Sequence, residues 1–423
     1  MLVSTPIQHV VVIYQENHSF NEVLGWLCTQ NPGRCLGTKT GKLSNGTTIT
    51  LQQGPDVPKV IAHTTSSQTQ AIDGGKMDGF DQIAGCQATK GYACYDRYLK
   101  GNIPNLGSLA STYAISDHTF ESAAVPSWGA HIELVASKLD GFIGNNPKIV
   151  AGNPSGSGWG CDSFRDAKWR PKAGVAYQWV PSCIPAPNGI GPYRASPVKW
   201  VPTIMDRMDT AGRSWRIYAP GASDPGQLTY GYGWAICPTF AECLDGSGAA
   251  NVAASNQVVS DAQGGSLPNL SLVIPSSENS QHNGYSMTQG DNWISNVVNA
   301  VMQGPDWSST AIFITYDDCG CFYDEVAPPR GLGIRVPMVI VSPYAKPAFT
   351  DTSVASFASL LAFTEHVFGL QPLGTADTNA YDYMNAFNFS QTPLSPVHLQ
   401  RHQVPASSRA WIKAHPPPAT DPT

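Results

Sequence analysis

The sequence predicts an α/β fold built on a mostly parallel sheet, and three observations predict it. Short apolar runs rich in β-branched and aromatic residues recur along the chain. Segments with apolar residues at helical spacing alternate with those runs. The two strongest runs each end in a pair of polar, mostly acidic residues, Glu16-Asn17 and Asp317-Asp318, at opposite ends of the chain.

Taken in order, positions 9–14 form the first strand and end at Glu16-Asn17; loop-rich segments are expected from there to about position 100. Positions 103–110 read as a helix that leads into an apolar stretch at 113–116. A second helix starts near Ser127, with Ile132, Leu134, Val135 and Leu139 at helical spacing. Positions 140–200 are rich in Gly, Pro, Trp and Ser with little periodicity, and read as an irregular insertion, a lid or rim rather than a separate domain. The alternation resumes with a helix at 201–212 and strands at 214–218 and 270–274. In the helix at 292–303, Trp293, Ile294, Val297, Val298 and Val301 share one face. A strand at 311–316 ends at Asp317-Asp318, another follows at 336–341, and an amphipathic helix at 353–368 is stopped by Gly369. Residues 1–400 are expected to form one domain and 401–423 a disordered Pro-rich tail.

Composition narrows the setting. Of 423 residues only 13% are charged, against roughly 25% in ordinary globular chains, while 40 Gly and 34 Pro imply many ordered turns. The ten cysteines fall in polar loops, and Cys28 with Cys35, Cys86 with Cys94 and Cys237 with Cys243 are close neighbours, as in a disulfide-bonded, exported protein. Cys319 and Cys321 are expected to pair elsewhere in the chain. No stretch approaches the ~20 apolar residues of a membrane span. Because the first strand begins almost at once, a secretion leader is expected to have been removed. A net charge of −6 with no basic cluster speaks against nucleic acid as a partner and against an electrostatic anchor to anionic lipid.

The chemistry follows from the strand ends. In open α/β sheets the carboxyl ends of the strands form the functional edge, and Glu16, Asn17, Asp317 and Asp318 would all be delivered there. Three carboxylates so placed repel one another unless a divalent cation neutralises them. Ser127, at a helix start, could meet a phosphate held by free backbone N–H groups, and a hydroxyl on a divalent cation is a competent nucleophile. Plainer readings stand beside these: a turn for Glu16-Asn17, a solvated loop for Asp317-Asp318, an N-cap for Ser127. His63 and His282 are catalytic candidates that could stabilise phosphoryl oxygens or move a proton; Lys76, His118 and His131 are candidates for binding substrate.

These segments resemble the bacterial and fungal phosphoesterases that include non-haemolytic phospholipases C and metal-dependent acid phosphatases, relatives of the alkaline-phosphatase superfamily. Glu16-Asn17-His18-Ser19-Phe20 resembles the opening ENHSF motif of that family, and Gly75-Lys76-Met77-Asp78-Gly79 its GKMDG segment. Positions 315–329 resemble its acidic F-Y-D block, and 335–346 its RVP and SPYAK segment. The resemblance implies a three-layer α/β/α fold. It also implies one divalent metal ion (Ca, Mg, Mn or Zn) held by Glu16, Asn17, Ser127, Asp317 and Asp318, with Ser127, after Pro126, as nucleophile. The chain departs from the pattern at His131, at Glu325 and at Ser280-Gln281-His282-Asn283, which bears on the substrate more than on the reaction. The expectation is a secreted phosphoester hydrolase of phospholipase C type, working through a phosphoserine on a phosphodiester or phospholipid, in transient contact with a lipid surface. Its rivals are an acid phosphatase acting on phosphomonoesters and a non-catalytic, metal-stabilised surface binding protein.

Overall fold

The β-branched runs become the middle of an eight-stranded sheet. The computed structural model describes residues 5–150, 158–189, 191–221 and 233–415. The strands of this sheet are β1 (His9–Gln15), β2 (Ala114–Ser116), β3 (Trp215–Tyr218), β4 (Val252–Ala253), β5 (Leu270–Val273), β6 (Thr310–Tyr316), β7 (Met338–Val341) and β8 (Thr350–Asp351). They lie in the order β4-β3-β5-β1-β6-β7-β2-β8. Only β7 runs antiparallel to its neighbours. Its Met-Val-Ile-Val composition suits either direction, so the sequence carries no sign of the reversal.

The register decides where the acidic ends fall. β1 pairs with β6 in parallel along its full length, from His9 opposite Thr310 to Gln15 opposite Tyr316. Glu16 and Asp317 therefore leave the sheet side by side at its carboxyl edge. Both strands are buried almost throughout, as their apolar centres in a central position require.

Helices cover both faces. Phe20–Gln30, Pro104–Thr112, Gln257–Gln263 and Met287–Gln303 pack on one another in one layer, and Ser127–Ala136, Ile204–Thr210 and Phe357–Phe368 in the other. The helix Met287–Gln303 starts at Ser286, whose hydroxyl accepts the Gln289 N–H at 3.1 Å, and buries Ile294, Val297, Val298 and Val301. Gly369, at φ 65°, ends the last of these helices as expected.

Four expectations need correction. The stretch after β1 is not all loop: Phe20–Gln30 is a helix capped by Ser19, whose hydroxyl accepts the Glu22 N–H at 3.3 Å. The region 140–200 contains an antiparallel hairpin, Asp166–Trp169 with Gln178–Pro181, beside the Cys161–Cys183 disulfide. The segment read as a disordered tail contains the helix Ala406–Ala414; positions 416–423 lie outside the described residues. The three neighbouring cysteine pairs are all bonded, but Cys319 and Cys321 are free and buried. Their loop is closed by hydrogen bonds instead, the Cys321 N–H donating to Cys319 Sγ at 3.1 Å.

Candidate active site

At the carboxyl edge, the turns after β1 and β6 pack backbone to backbone. Asn17 adopts φ 62°, a left-handed conformation that Asn tolerates better than most residues, and its N–H donates to Asp317 Oδ1 at 2.9 Å. The Asp318 N–H donates to the same oxygen at 2.7 Å, and the Gly320 N–H to Asp318 Oδ1 at 2.7 Å. Glu16, Asn17, Asp317 and Asp318 are all fully buried.

Ser127 reaches this cluster from the opposite layer. It is the first residue of the helix Ser127–Ala136, with Pro126 in the cap position, so its hydroxyl does not cap. Instead Ser127 Oγ donates to Glu16 Oε2 at 3.2 Å and lies 3.4 Å from Asn17 Oδ1. At the helix N-terminus, two of the N–H groups after Ser127 are already taken. The Trp128 N–H donates to Asn146 Oδ1 at 2.9 Å and the Gly129 N–H to the Gly144 carbonyl at 3.1 Å. One turn along, His131 Nε2 stands 3.3 Å from Glu16 Oε1, and its Nδ1 is 2.7 Å from the Trp234 carbonyl.

Two of these contacts suit a cation. Burial holds His131 down to a pKa of about 4. The ring is therefore neutral, carries its proton on Nδ1 toward Trp234, and turns a lone pair on Nε2 toward a carboxylate. Atoms of Glu16, His131 and Asp317 all lie within 4.8 Å of one another, and Asp317 Oδ2 is buried with no hydrogen-bond partner. The Asn17 amide makes the second case. Its oxygen lies 3.1 Å from Asp317 Oδ1 and 3.1 and 3.2 Å from the Asp318 oxygens, while its nitrogen lies 2.7 Å from His282 Nε2. His282, also held near pKa 4 chiefly by burial and then by His63, places Nδ1 3.0 Å from the Asn283 carbonyl. With its proton on Nδ1, His282 accepts at Nε2 from the amide nitrogen, which leaves the amide oxygen among the carboxylates; the exchanged amide would instead donate to the carboxylates and accept from Nε2. Oxygen against oxygen is repulsive there without a positive charge between them. Burial, then the charge of Asp317, raises the Asp318 pKa well above the usual range. The donor set of hard oxygens plus one imidazole fits a divalent metal.

His63 completes the inner wall. Its ring centre is 6.1 Å from that of His282, its Nδ1 is fixed 2.8 Å from the Ile61 carbonyl, and its buried Nε2 has no hydrogen-bond partner. Gln68 ties this segment to the nucleophile turn, donating to the Val125 carbonyl at 2.9 Å. His282 stacks on Trp234, whose part in orienting both His131 and His282 no sequence signal announces. Glu121 was missed for the same reason: it is fully buried and accepts the Cys319 N–H at 2.7 Å, directly behind Asp318.

Two residues read as substrate-binding are held elsewhere. Lys76 Nζ is largely exposed and ion-paired to Asp73 at 2.6 Å across one turn. His118 is clamped by its neighbour, Nδ1 to Asp117 Oδ1 at 2.8 Å. Within the F-Y-D block, Asp324 serves the frame rather than the chemistry: it is fully buried against Arg335, which also donates to the Leu36 and Asp117 carbonyls.

Residues 7–371 match the Phosphoesterase family. Among curated relatives, the chain is 24% identical to a non-haemolytic phospholipase C of Pseudomonas aeruginosa over 97% of this chain and 62% of that protein. It is 28% identical to one of Burkholderia pseudomallei over 91% of this chain and 59% of that protein. The chain therefore spans about three-fifths of the length of these two relatives. A solved structure of an alkaline-phosphatase-superfamily protein from Vibrio parahaemolyticus aligns with a TM-score of 0.36 at 13% identity, over 65% of this chain and 64% of that one.

Proposed function

The chain belongs to the Phosphoesterase family, and from that membership and the geometry of the strand-end cluster we propose that it hydrolyses phosphoric esters as a phospholipase C-type enzyme. Ser127 is the nucleophile, and Glu16, Asn17, His131, Asp317 and Asp318 hold one divalent cation. When bound, the cation neutralises the carboxylates, lowers the pKa of the Ser127 hydroxyl and offsets charge on a phosphoryl oxygen.

The remaining work falls to the chain's own groups. Glu16, hydrogen-bonded to Ser127 Oγ at 3.2 Å, takes the hydroxyl proton as Oγ bonds to phosphorus and the substrate's alkoxide departs. A water then attacks the phosphoserine, Ser127 leaves and recovers its proton, and phosphate or a phosphomonoester is released. His63, neutral and with Nε2 open toward the site, accepts the proton of that water. The helix N-terminus contributes its dipole, while the Trp128 and Gly129 N–H groups are used within the protein. Four disulfides support an extracytoplasmic location, and among the described residues no helix is long and apolar enough to cross a membrane.

The observation that carries this reading is the meeting of Glu16, Ser127 and Asp317 from three distant stretches of the chain. The test is hydrolysis of p-nitrophenylphosphorylcholine and p-nitrophenyl phosphate with and without chelator. Metal-dependent release from the first supports a diesterase. Release from the second alone assigns a phosphomonoesterase, and silence on both, across pH and metals, leaves a binding protein.

A further inference from the structure

A cavity of about 500 Å³ opens against the backbone that carries the nucleophile. Pro126, just before Ser127, and Thr64, just after His63, line it. So do Asn145 and Asn146, whose side chains accept the Thr65 and Trp128 N–H groups at 3.0 and 2.9 Å. The cavity wall is therefore tied to the backbone beside Ser127 and beside His63.

Its charge is the opposite of the molecule's. Lys148, Arg165 and Lys168 line it, and among the described residues no Asp or Glu does. Between positions 138 and 200 the chain carries eight Lys and Arg against three Asp, although its net charge is −6. No run marks these cations, because the hairpin Asp166–Trp169 with Gln178–Pro181 and the loop before it bring them together from twenty residues apart. The nearest acid on the hairpin, Asp166, is engaged by Arg194 at 2.6 Å. Among the described residues neither the Lys148 nor the Lys168 ammonium has a carboxylate partner. Lys168 Nζ stands 5.6 Å over the ring of Trp179, which is 47% exposed at the cavity's edge.

A quaternary ammonium is recognised by aromatic faces and carboxylates, and three cations at the entrance repel it. An anionic group is attracted by the same three, in a cleft whose walls focus the field. We propose that this cavity is a subsite for a second anionic group on the substrate's alcohol portion, with Lys148 and Lys168 setting the specificity and Trp179 covering that portion's carbon skeleton. The proposal rests on the phosphoesterase reading above and adds the substrate class to it: phosphodiesters whose headgroup, the alcohol retained on phosphorus, carries a carboxylate or a further phosphate.

The test uses the full chain loaded with divalent metal and three p-nitrophenyl phosphodiesters that differ only in the second alcohol: choline, ethanol and 3-hydroxypropionate. Wild type is expected to give the highest kcat/KM on the carboxylate-bearing diester. The Lys148→Ala, Lys168→Ala double variant is expected to lose at least tenfold more on that diester than on the ethyl one. Lys168→Glu should shift preference toward choline, a result that misfolding cannot produce. Equal losses on all three, or an unchanged order of preference, overturn the subsite while leaving the esterase reading intact; an inert wild type overturns both. Phosphatidylinositol 4-phosphate in vesicles and its deacylated, water-soluble counterpart separate the two sources of such a group. Lysine-dependent hydrolysis of either supports the subsite and identifies the source, and lysine-independent hydrolysis of both overturns it.

Discussion

At the residue scale, Ser127 and His282 separate chemistry from metal retention. Ser127→Ala removes the attacking oxygen and leaves Glu16, His131 and Asp317 in place, so turnover should fall by at least about 10³-fold while metal affinity changes little. Titration with a chelating dye beside the rate assay checks both halves, and full turnover in this variant would remove the nucleophile assignment. His282→Ala should do the reverse. It frees the Asn17 amide to rotate, so that its NH₂ rather than its oxygen faces Asp317 and Asp318, and metal affinity should fall about 10–100-fold. An unchanged affinity would mean that His282 does not orient Asn17. The convergence of Glu16, Asn17, Ser127, Asp317 and Asp318 was legible because oxygen-bearing residues at strand ends have few purely structural uses. The position of His131 beside Glu16 was not, since helical spacing from Ser127 places it on the inner face without saying what it meets. Lys76 shows the opposite failure: the GKMDG segment matches a motif, yet the ammonium has a partner three residues away and turns outward.

At the scale of elements, the site depends on how closely two turns approach. Gly320 has φ +53°, and a Cβ there would stand 2.3 Å from the Asn17 carbonyl oxygen, against rigid backbone. Gly320→Ala should therefore push the β1 turn away from the β6 turn and weaken metal binding and turnover together. Gly331→Ala is the control: its φ of +94° is as strained for alanine, but nothing lies within 4 Å of the new atom. That variant should cost about 1 kcal/mol in stability and keep its metal affinity. Should both variants bind metal like wild type, close approach of the turns does not hold the site. The strands themselves could be read because the seven residues of β1 and of β6 each centre on a β-branched, apolar run, Val10–Tyr14 and Ala311–Ile314. The hairpin of the insertion could not, since Lys168 and Trp169 against Gln178 and Trp179 show no clean alternation of apolar and polar residues. Its order comes from the Cys161–Cys183 bond and the Arg194–Asp166 pair, contacts that local pattern does not encode.

For the molecule as a whole, the low content of charge is matched by where the acids sit. Burial raises the carboxyls of Asp96, Glu133, Glu325 and Glu365 to about 7, all from ordinary values near 4. A raised folded pKa means that the folded chain binds more protons than the unfolded one, so these groups stabilise below pH 4 and lose that contribution as pH rises through 7. The buried histidines His18, His131 and His282, lowered to about 4, act oppositely: their contribution is complete above pH 6.5 and is lost as pH falls toward 4. Between pH 4 and 6.5 the two sets oppose each other, and above 6.5 only the carboxyls still change. Metal-free protein should thus melt several degrees lower at pH 8 than at pH 6. Glu365→Gln should recover part of that loss at pH 8, at most about 1 kcal/mol once partial exposure is allowed for, and should change little at pH 4. Added divalent cation should raise the melting temperature more at pH 8 than at pH 5, because it replaces protons that the clustered carboxylates otherwise retain. Melting curves across pH, with chelator and with cation, measure all three; a cation shift independent of pH would mean that these carboxylates do not share a metal.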